Sequence, residues 1–522
     1  MTACLPVAVG GSSLKEVIMA EAHVTSSPHI PFQATAAPGG FRAAWIVARR
    51  ELVEQLTSLR FLIIGVLVLG LTPLAVYVGV RDYTNRLEDY HRLATAQQEL
   101  RAGPAGEAVS GVWNLEVLRA IRPPEPLSAL VHGLDARLPE YWDFSPRGIR
   151  VGPLASRPHR LADVLGQLDV EFLVRVVLGL LAILLAFDAV VGEKELGTLR
   201  MTLSQPLPRA AFLVGKLIAG AITLLALLAM VFLLALLSAQ FFGLDLLAGD
   251  PLTKVGLIAV AASFYLLCFY ALGLMISSLA GSQKTSLVIL LVTWVVAVLA
   301  LPPLSTLVAQ AVSPVPPVHA VEAKKRALDE AIRQEAARAM GEVYREETGQ
   351  DQMVSMRLYQ EHKDAIDRRI APIVTRYVGK RRQLLGELDR DTQRRMARQN
   401  EVARIIMALS PAAAFAHAAA DLAGTGDTYA QSWWTAVRLH QSRLNAALFD
   451  DPPMVTMWMR NMSMTLRRHD PPSITDLPAF TPPRRDARAA INRALPALGL
   501  LLLYTGLFIA GGFIAFSRYD VR

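Results

Sequence analysis

Six long apolar stretches constrain what this 522-residue chain can fold into. A helix needs about twenty apolar residues to cross the ~30 Å hydrocarbon core of a bilayer, and each stretch has that length without a charge near its centre. The charged fraction of the chain is 19%, below the roughly one quarter that is typical of soluble domains. We therefore predict an all-α integral membrane protein. Its six transmembrane helices are residues 61–80, 172–191, 217–241, 255–279, 286–308 and 494–516.

The distribution of Lys and Arg among the short loops predicts the orientation of these helices. The loop between the third and fourth helices carries Asp245 and Asp250, with Lys254 at its edge, whereas the other short loops are basic. Both termini are therefore predicted to be cytoplasmic, and residues 82–170 and 309–493 become two extracytoplasmic insertions. The basic clusters are Arg42, Arg49, Arg50 and Arg60; Lys194, Arg200, Arg209 and Lys216; Lys284; and Arg518 and Arg522.

The segment before the first helix divides into two parts. Residues 1–40 are rich in Gly, Ser, Ala and Pro, lack periodicity, and are predicted to form a disordered N-terminal tail. Residues 41–60 are predicted to form an amphipathic helix that lies flat at the cytoplasmic interface. The apolar face of this helix consists of Trp45, Ala48, Leu52 and Leu56.

The second insertion is predicted to be mostly helical, because apolar residues recur at helical spacing along its first half. Pro372 should bend or break one of these helices. Residues 402–423 are apolar enough to suggest a seventh crossing, but Arg404 and Asp421 interrupt them. A seventh crossing would also place the termini on opposite sides. We therefore favour a re-entrant or interfacial helix at the outer leaflet, and residues 517–522 as a cytoplasmic tail.

The most informative segment is the predicted cytoplasmic loop of residues 192–216. Acidic residues end the second helix, a Gly-Thr-Leu turn opens a short helix, Pro206 and Pro208 stop it, and a basic residue begins the third helix. Such an element can receive a push from a soluble partner and pass it to two spans. An ordinary connector is the alternative, because cytoplasmic loops tend to be basic and to end in Pro or Gly.

This loop resembles the coupling loop in the permease subunits of type-2 ABC exporters. That family carries a Glu-x-Gly-Thr-Leu segment, a Ser-x-Pro and a later Gly-Lys, which Glu195 to Leu199, Ser204 to Pro206 and Gly215-Lys216 match. The order of six helices and the amphipathic helix before the first span also match. The resemblance implies a coupling helix that docks on an ATPase subunit. The candidate coupling residues are Glu193, Glu195, Gly197, Thr198, Leu199, Arg200, Ser204, Pro206, Arg209 and Lys216.

Four of these residues have individual expected roles. Gly197 is expected to permit the turn before the short helix. Glu193 and Arg200 are expected to contact the ATPase, and Lys216 is expected to anchor the third helix at the membrane interface.

A narrower resemblance is to the permeases described as acting in multicopper-enzyme maturation, including the permease associated with nitrous oxide reductase assembly. It rests on four short patches outside the loop. These are Pro123 to Ser128, Ser410 to Phe415, Gly424-Thr425-Gly426 and the ending from Phe516 to Arg522.

Other chemistry is not indicated by the sequence. No Gly-rich phosphate loop ending in Lys-Ser or Lys-Thr occurs, so we predict a transport subunit without its own ATPase site, not an enzyme. No metal-ligand spacing or basic aromatic stretch occurs, so no cofactor and no nucleic-acid partner are expected.

Five clustered methionines could bind Cu(I) through sulfur, although packing against a helix or the membrane is the favoured interpretation. They are Met454, Met457, Met459, Met462 and Met464.

These observations favour the permease subunit of an ATP-driven exporter in a bacterial inner membrane. Two ATPase subunits would dock on two permease subunits, identical or closely related, and a periplasmic partner protein could bind the insertions. The alternative is a non-transporting membrane scaffold whose extracytoplasmic helical domain recruits or assembles another protein, and the size of residues 309–493 motivates it. Whether an ATPase subunit binds distinguishes the two hypotheses.

Overall fold

The computed structural model describes residues 40–102, 119–145, 148–153, 168–204, 208–349, 361–449, 478–483 and 487–518. Four predictions made from the sequence fall wholly or partly outside these residues. They are the disordered tail before Gly40, the role of Pro206, the methionine cluster from Met454 to Met464, and the C-terminal tail from Tyr519 onward.

Six helices are long and apolar enough to cross a membrane, which confirms the predicted fold class of an all-α membrane protein. Each contains one of the six windows predicted from hydropathy. The bounds are Leu59–Ala102 for span 1, Val170–Glu195 for span 2, Arg209–Phe241 for span 3, Asp250–Leu279 for span 4, Gln283–Val312 for span 5 and Ala487–Ser517 for span 6.

Two of the spans are irregular. A single turn of π-helix interrupts each, and span 2 also has a turn over residues 187–190. Span 2 consists of Val170–Phe172, the π-helical Leu173–Leu178, Gly179–Ala186 and Val191–Glu195. Span 5 consists of Gln283–Trp294, the π-helical Val295–Ala300 and Leu301–Val312.

Spans 2 and 4 form the centre of the bundle, since 61% of the apolar window of each is buried, against 17% for spans 5 and 6. Hydrogen bonds join the two central helices near both ends. The Tyr265 hydroxyl donates to the Arg175 carbonyl at 2.6 Å, and the Ser277 hydroxyl accepts from the Val190 amide at 3.0 Å. The buried hydroxyl groups thus satisfy backbone atoms that the irregular turns of span 2 leave without helical partners.

The two ends of the bundle carry different elements. We call one end proximal; it carries helix α1 (Gly40–Leu56), residues 187–216 with the short helix α2 (Thr198–Ser204), and the end of span 6. The distal end carries both insertions. The short connection over residues 242–249, between spans 3 and 4, also lies there.

Helix α1 differs from its prediction in the face that it buries. The side chains that pack against span 3 are Ala43, Ala44 and Ala48, whereas Trp45 and Leu56 are exposed. Small side chains allow close helix packing, and they form a second stripe beside the apolar face that the sequence pattern predicts. The exposed tryptophan face is therefore free to contact lipid, and its position at a membrane interface stays a prediction.

The predicted first insertion begins as a helix, because the helix of span 1 continues without a break past its apolar residues to Ala102. Ion pairs at helical spacing, Asp82 with Arg86 and Glu88 with Arg92, extend the helix after its apolar residues end. Beyond it lies a three-stranded antiparallel sheet in the order β1-β2-β3. The strands are β1 (Arg119–Ile121), β2 (Tyr141–Ser145) and β3 (Gly148–Val151).

The second insertion begins with a long helical hairpin of α3 (Val318–Thr348) and α4 (Lys363–Met407). Helix α3 alone is about 46 Å long at 1.5 Å per residue. Pro372, predicted to bend or break a helix, lies inside the continuous α4, so it does not break the helix, and a bend there stays a prediction. Pro372 is exposed, and water can hydrogen-bond the carbonyl that a proline leaves free.

Ion pairs join the two helices of the hairpin, and they include Lys325–Asp389, Lys380–Glu335 and Arg369–Glu347. Near the tip of the hairpin, an apolar cluster is formed by Val343, Ile366, Ile370 and Val374.

Two further helices complete the second insertion, α5 (Pro411–Ala423) and α6 (Asp427–Phe449). Helix α5 is largely buried against spans 4 and 6, and its Phe415 ring stacks on Tyr265 with 5.0 Å between centroids. With 13 residues it is about 20 Å long, too short to cross a bilayer. This geometry is consistent with the predicted re-entrant or interfacial helix.

The two insertions pack together as one distal domain. Trp142 and Phe144 of β2 are fully buried against α6 of the second insertion. The Trp142 ring stacks on Trp433 with 5.4 Å between centroids, and Phe144 meets His440 edge-on at 4.5 Å. Segments almost 300 residues apart in the chain therefore share one aromatic core (Trp142 to Trp433).

A buried carboxylate attaches the sheet to span 1. The Asp135 side chain is 1% exposed and forms ion pairs with Arg86 of span 1 and with Arg122, which follows β1. Arg86 also donates to the Ser128 hydroxyl at 2.9 Å. The two guanidinium groups are almost as buried as the carboxylate; Arg122 depends on Asp135 for its charge compensation, whereas Arg86 also pairs with Asp82.

We expect Asp135→Ala to destabilise the distal domain by about 3–5 kcal/mol, because it leaves the buried Arg122 guanidinium unpaired and removes one of the two carboxylates that pair with Arg86. Glu88→Ala is the matched control, since it removes an exposed partner of Arg92 and should cost less than about 1 kcal/mol. Thermal unfolding of the full chain in detergent and amide hydrogen exchange in β2 measure the difference. Equal stability of the two variants would contradict the assignment of Asp135 as the anchor.

Candidate functional site

The loop between spans 2 and 3 has the shape that its sequence predicts. Span 2 ends at Glu195, and Gly197 follows with φ +72°, a conformation that residues with a Cβ rarely adopt. Helix α2 then runs from Thr198 to Ser204. The turn at Gly197 thus separates α2 from span 2 and lets the short helix take its own direction.

A buried lysine at the start of span 3 connects three elements of the proximal end. The Lys216 ammonium lies 2.6 Å from a carboxylate oxygen of Glu51 in α1 and 2.9 Å from one of Glu193 at the end of span 2. The Lys216 side chain is 3% exposed, against 14% for Glu51 and 21% for Glu193. We call these three residues the carboxylate–lysine bridge. Because a buried ammonium is costly without partners, the bridge restricts the relative positions of all three elements.

A glycine allows α1 to come this close. A Cβ on Gly215 would lie 2.6 Å from the Ala44 carbonyl oxygen and 2.7 Å from the Val47 Cβ. Any other residue at position 215 would push α1 away from span 3. The Gly215-Lys216 pair therefore provides both the space for the contact and the charge that holds it.

Neutral polar groups extend the bridge into spans 3 and 4. Gln55 of α1 accepts a hydrogen bond from the Thr223 hydroxyl at 2.9 Å and donates to the Tyr270 hydroxyl at 3.3 Å. The Tyr270 hydroxyl donates to the Lys216 carbonyl at 3.0 Å. All of these side chains are buried. One continuous network thus joins α1 to spans 3 and 4 and, through Glu193, to the end of span 2.

The end of span 2 is also bonded to the ends of spans 4 and 5. The Lys194 ammonium donates to the Ser278 carbonyl, and Glu195 accepts from the Gln283 amide at 3.1 Å. The Ser286 hydroxyl donates to the Phe187 carbonyl at 2.7 Å. A displacement of residues 187–195 would therefore act directly on three spans.

Helix α2 presents a mixed apolar and basic surface to the proximal side. Leu196 and Met201 are 76% and 74% exposed, and Thr198, Arg200 and Ser204 are exposed beside them. Leu199 points inward and is 2% exposed within the core of the bundle. We call Leu196, Arg200 and Met201 the α2 knob.

The predicted coupling residues lie in two parts of the proximal end: some belong to α2, and the others lie at the end of span 2 or the start of span 3. Thr198, Arg200 and Ser204 lie on the exposed side of α2, and Leu199 attaches that helix to the bundle. Glu193 belongs to the carboxylate–lysine bridge, and Glu195 caps the start of span 5. The Arg209 guanidinium donates to the Ser517 carbonyl of span 6 at 3.2 Å.

Two residues have partners that their expected roles did not include. The Lys216 side chain is buried between carboxylates, and its role in anchoring span 3 at the membrane interface stays a prediction. Glu193 points toward Lys216, so its main interaction is internal.

Sequence reasoning missed the partners of the buried lysine. Glu51 and Gln55 occupy one face of α1 at a spacing of four residues, beside the alanine stripe. A signal was present, because a lysine about two turns inside a long apolar helix requires a nearby carboxylate. Among the described residues, no group of three or more His, Cys, Asp or Glu side chains could hold a metal ion.

We expect Lys216→Met to destabilise the protein by about 3–5 kcal/mol, because Glu51 and Glu193 would face each other without a cation. Arg60→Met is the control, since it breaks an exposed pair with Asp188 of 2.9 Å and should cost no more than about 1 kcal/mol. Thermal unfolding in detergent gives the comparison. Adding Glu51→Gln and Glu193→Gln to Lys216→Met should recover part of the loss, and an unchanged melting temperature in Lys216→Met would contradict the bridge.

Comparison with known proteins agrees with the geometry. The chain matches the family model described as ABC-2 family transporter protein over residues 45–521, which include most of α1, all six spans and the loop with α2. No curated protein matches it. The family members are permease components of ABC transporters, and the chain is a multi-pass membrane protein. This protein therefore belongs to the ABC-2 transporter family.

Proposed function

We propose that this chain is the transmembrane permease subunit of an ATP-driven exporter, and that residues 187–216 couple ATP hydrolysis by a separate ATPase subunit to movement of the spans. The observation that carries the proposal is the carboxylate–lysine bridge. It joins the loop, α1 and span 3 into a single mechanical unit. The α2 knob is exposed on the loop of this unit. A force on α2 would reach the spans without crossing a loose connection.

The α2 knob is the surface that the ATPase would contact. Protein interfaces favour exposed apolar and Arg side chains surrounded by polar groups, and Leu196, Met201 and Arg200 provide this combination within two turns of chain. Glu193 acts one step behind the interface, by holding Lys216. The coupling role that the sequence suggests for these residues thus separates into docking by α2 and transmission by Glu193 and Lys216.

Closure of an ATPase pair would move the loop and its attached spans together. Lys194, Glu195 and Phe187 bond to the ends of spans 4 and 5, so the displacement would spread across the centre of the bundle. In this proposal two ATPase subunits dock on two permease subunits, identical or closely related. The proximal end and both termini are cytoplasmic, the distal domain is periplasmic, and the membrane is a bacterial inner membrane.

The narrower likeness to permeases of multicopper-enzyme maturation belongs to the same proposal. Two of its four patches have clear positions in the fold. The run from Pro123 to Ser128 ends at Ser128, whose hydroxyl accepts a hydrogen bond from Arg86 in the distal domain. The run from Ser410 to Phe415 forms the start of α5. In such a protein the distal domain would bind a periplasmic partner protein.

A membrane scaffold remains the second candidate, and the α3–α4 hairpin favours it. A rod of about 46 Å held by ion pairs is longer than transport through the spans requires, and it offers a large surface to another protein. The two candidates differ in a single property. An exporter must bind an ATPase at its proximal end, and a scaffold need not.

We expect Met201→Glu combined with Leu196→Glu to weaken ATPase binding at least about thirtyfold, as loss of an interface hot spot does. Leu247→Glu is the control for the effect of a single added negative charge, because it places that charge at an exposed leucine of the distal end. Affinity purification of the tagged chain in mild detergent, followed by quantitative mass spectrometry, measures the bound ATPase. Equal recovery from all three proteins would contradict docking at α2, and no ATPase in the wild type would favour the scaffold.

Arg200→Glu separates docking from transmission. It changes an exposed α2 residue and leaves the carboxylate–lysine bridge intact, whereas reversing Glu193 would also break the bridge. We expect Arg200→Glu to reduce ATPase binding without lowering the melting temperature. A lowered melting temperature with normal ATPase binding would assign Arg200 to the fold instead.

A further inference from the structure

A row of arginines lies on α4 at the distal end, where the hairpin enters the bundle. Arg390, Arg394 and Arg398 recur every four residues and are therefore on one face of the helix. All three are outside the ion pairs of the described residues, in contrast to Arg395, whose partner is Asp391 at 3.0 Å. The same face continues through Glu401 to Ile405. This face of α4 thus carries three arginines and one glutamate before it reaches the apolar Ile405.

The depth of α4 relative to span 5 follows from two hydrogen bonds. Gln399 donates to the Ser313 carbonyl at 3.2 Å, just past the distal end of span 5. The Ser410 hydroxyl donates to the Ala297 carbonyl at 2.6 Å, well inside the span. The end of α4 therefore runs antiparallel to span 5 and descends along it.

The thickness of the bilayer then gives the depth of these α4 and span 5 residues in the membrane. Lys284 marks the proximal end of span 5, and Ala297 is about 20 Å farther along the helix. In a hydrocarbon core of ~30 Å, Ala297 and its partner Ser410 lie about 10 Å below the distal boundary. Counting back along α4 at 1.5 Å per residue, Arg404 is at about that boundary and Arg398 is about 9 Å above it.

The exposed side chains on α4 change in character at the calculated boundary. Below it, Ile405 and Leu409 are 63% and 67% exposed, as expected for residues that face lipid chains. Above it, the exposed Arg398 and Arg394 branch from the helix about 9 Å and about 15 Å beyond the boundary, so their side chains must extend toward the membrane to reach the lipid headgroups, which extend roughly 5–8 Å beyond the hydrocarbon. Long arginine side chains can reach toward a phosphate layer while their stems cover apolar surface.

We propose that Arg394 and Arg398, with Arg404 below them, bind the phosphate groups of anionic phospholipids in the distal leaflet of the bilayer. The bilayer is the occupant that fits, because the apolar tip of the same helix face continues directly into its hydrocarbon. Guanidinium groups bind phosphate oxygens through paired hydrogen bonds. The contact would fix the height of the α3–α4 hairpin over the membrane. This inference is independent of the proposed ATPase partner.

Native mass spectrometry of the full chain in detergent, titrated with phosphatidylglycerol or phosphatidylcholine, tests the proposal. We expect the wild type to retain phosphatidylglycerol preferentially. Arg394→Gln combined with Arg398→Gln should reduce that preference by roughly fivefold per arginine, about thirtyfold for the pair at low salt. Arg394→Lys with Arg398→Lys keeps the charges and should retain most of the preference.

The control is Arg338→Gln with Arg376→Gln, which removes two exposed arginines from the part of the hairpin far from the membrane. An equal loss in this control would reduce the effect to net charge and overturn the proposal. So would an unchanged preference in the Arg394/Arg398 variant. Displacement of the lipid by equimolar glycerol 3-phosphate would also overturn it, since the site would then bind a soluble phosphate rather than the bilayer.

Discussion

The burial of one ammonium group organises the proximal end of this protein. Lys216 lies where span 3 packs against α1, and a charge in that position costs several kcal/mol unless carboxylates surround it. Its partners come from far apart in the chain, Glu51 being 165 residues earlier and Glu193 lying in the preceding loop. Satisfying this one charge therefore determines where α1 lies and how residues 187–195 meet the spans. The polar contacts of Gln55 and Tyr270 extend the same arrangement deeper into the bundle.

Continuous helices carry this arrangement to the distal end. Span 1 extends to Ala102 and reaches the sheet through the Arg86–Asp135 pair, while α4 is bonded along the outer part of span 5. The two insertions share an aromatic core around Trp142 and Trp433, so they form one body above the membrane. A shift of the spans would consequently move the distal domain as well. In the proposed exporter, this connection would give an ATP-driven movement at the proximal end a direct mechanical route to a partner protein bound at the distal end.

Features set by local sequence could be predicted, and features set by distant partners could not. The six spans follow from apolar length alone, and the turn at Gly197 follows from the residue type. The carboxylate–lysine bridge could not be derived, because nothing in the pattern shows that Glu51 and Glu193 meet at Lys216. The packing face of α1 was hidden for a related reason, since the alanine stripe is less conspicuous than the tryptophan face beside it. The packing of the two insertions against each other depends on a contact between Trp142 and Trp433. The periodicity of apolar residues along the chain does not indicate this contact.

The central claim is that α1 and the loop after span 2 move as one unit, and a distance between them tests it most directly. Spin labels at the exposed positions Arg50 and Thr198, in a chain with Cys4 and Cys268 replaced by serine, report that distance by pulsed electron resonance. We predict that the distance stays constant when the ATPase changes from its nucleotide-free to its ATP-bound state, and that it becomes broadly distributed in Lys216→Met. A shift of more than about 2 Å in the protein with Lys216 intact, the scale of an ordinary helix displacement, would show that α1 and the loop move separately.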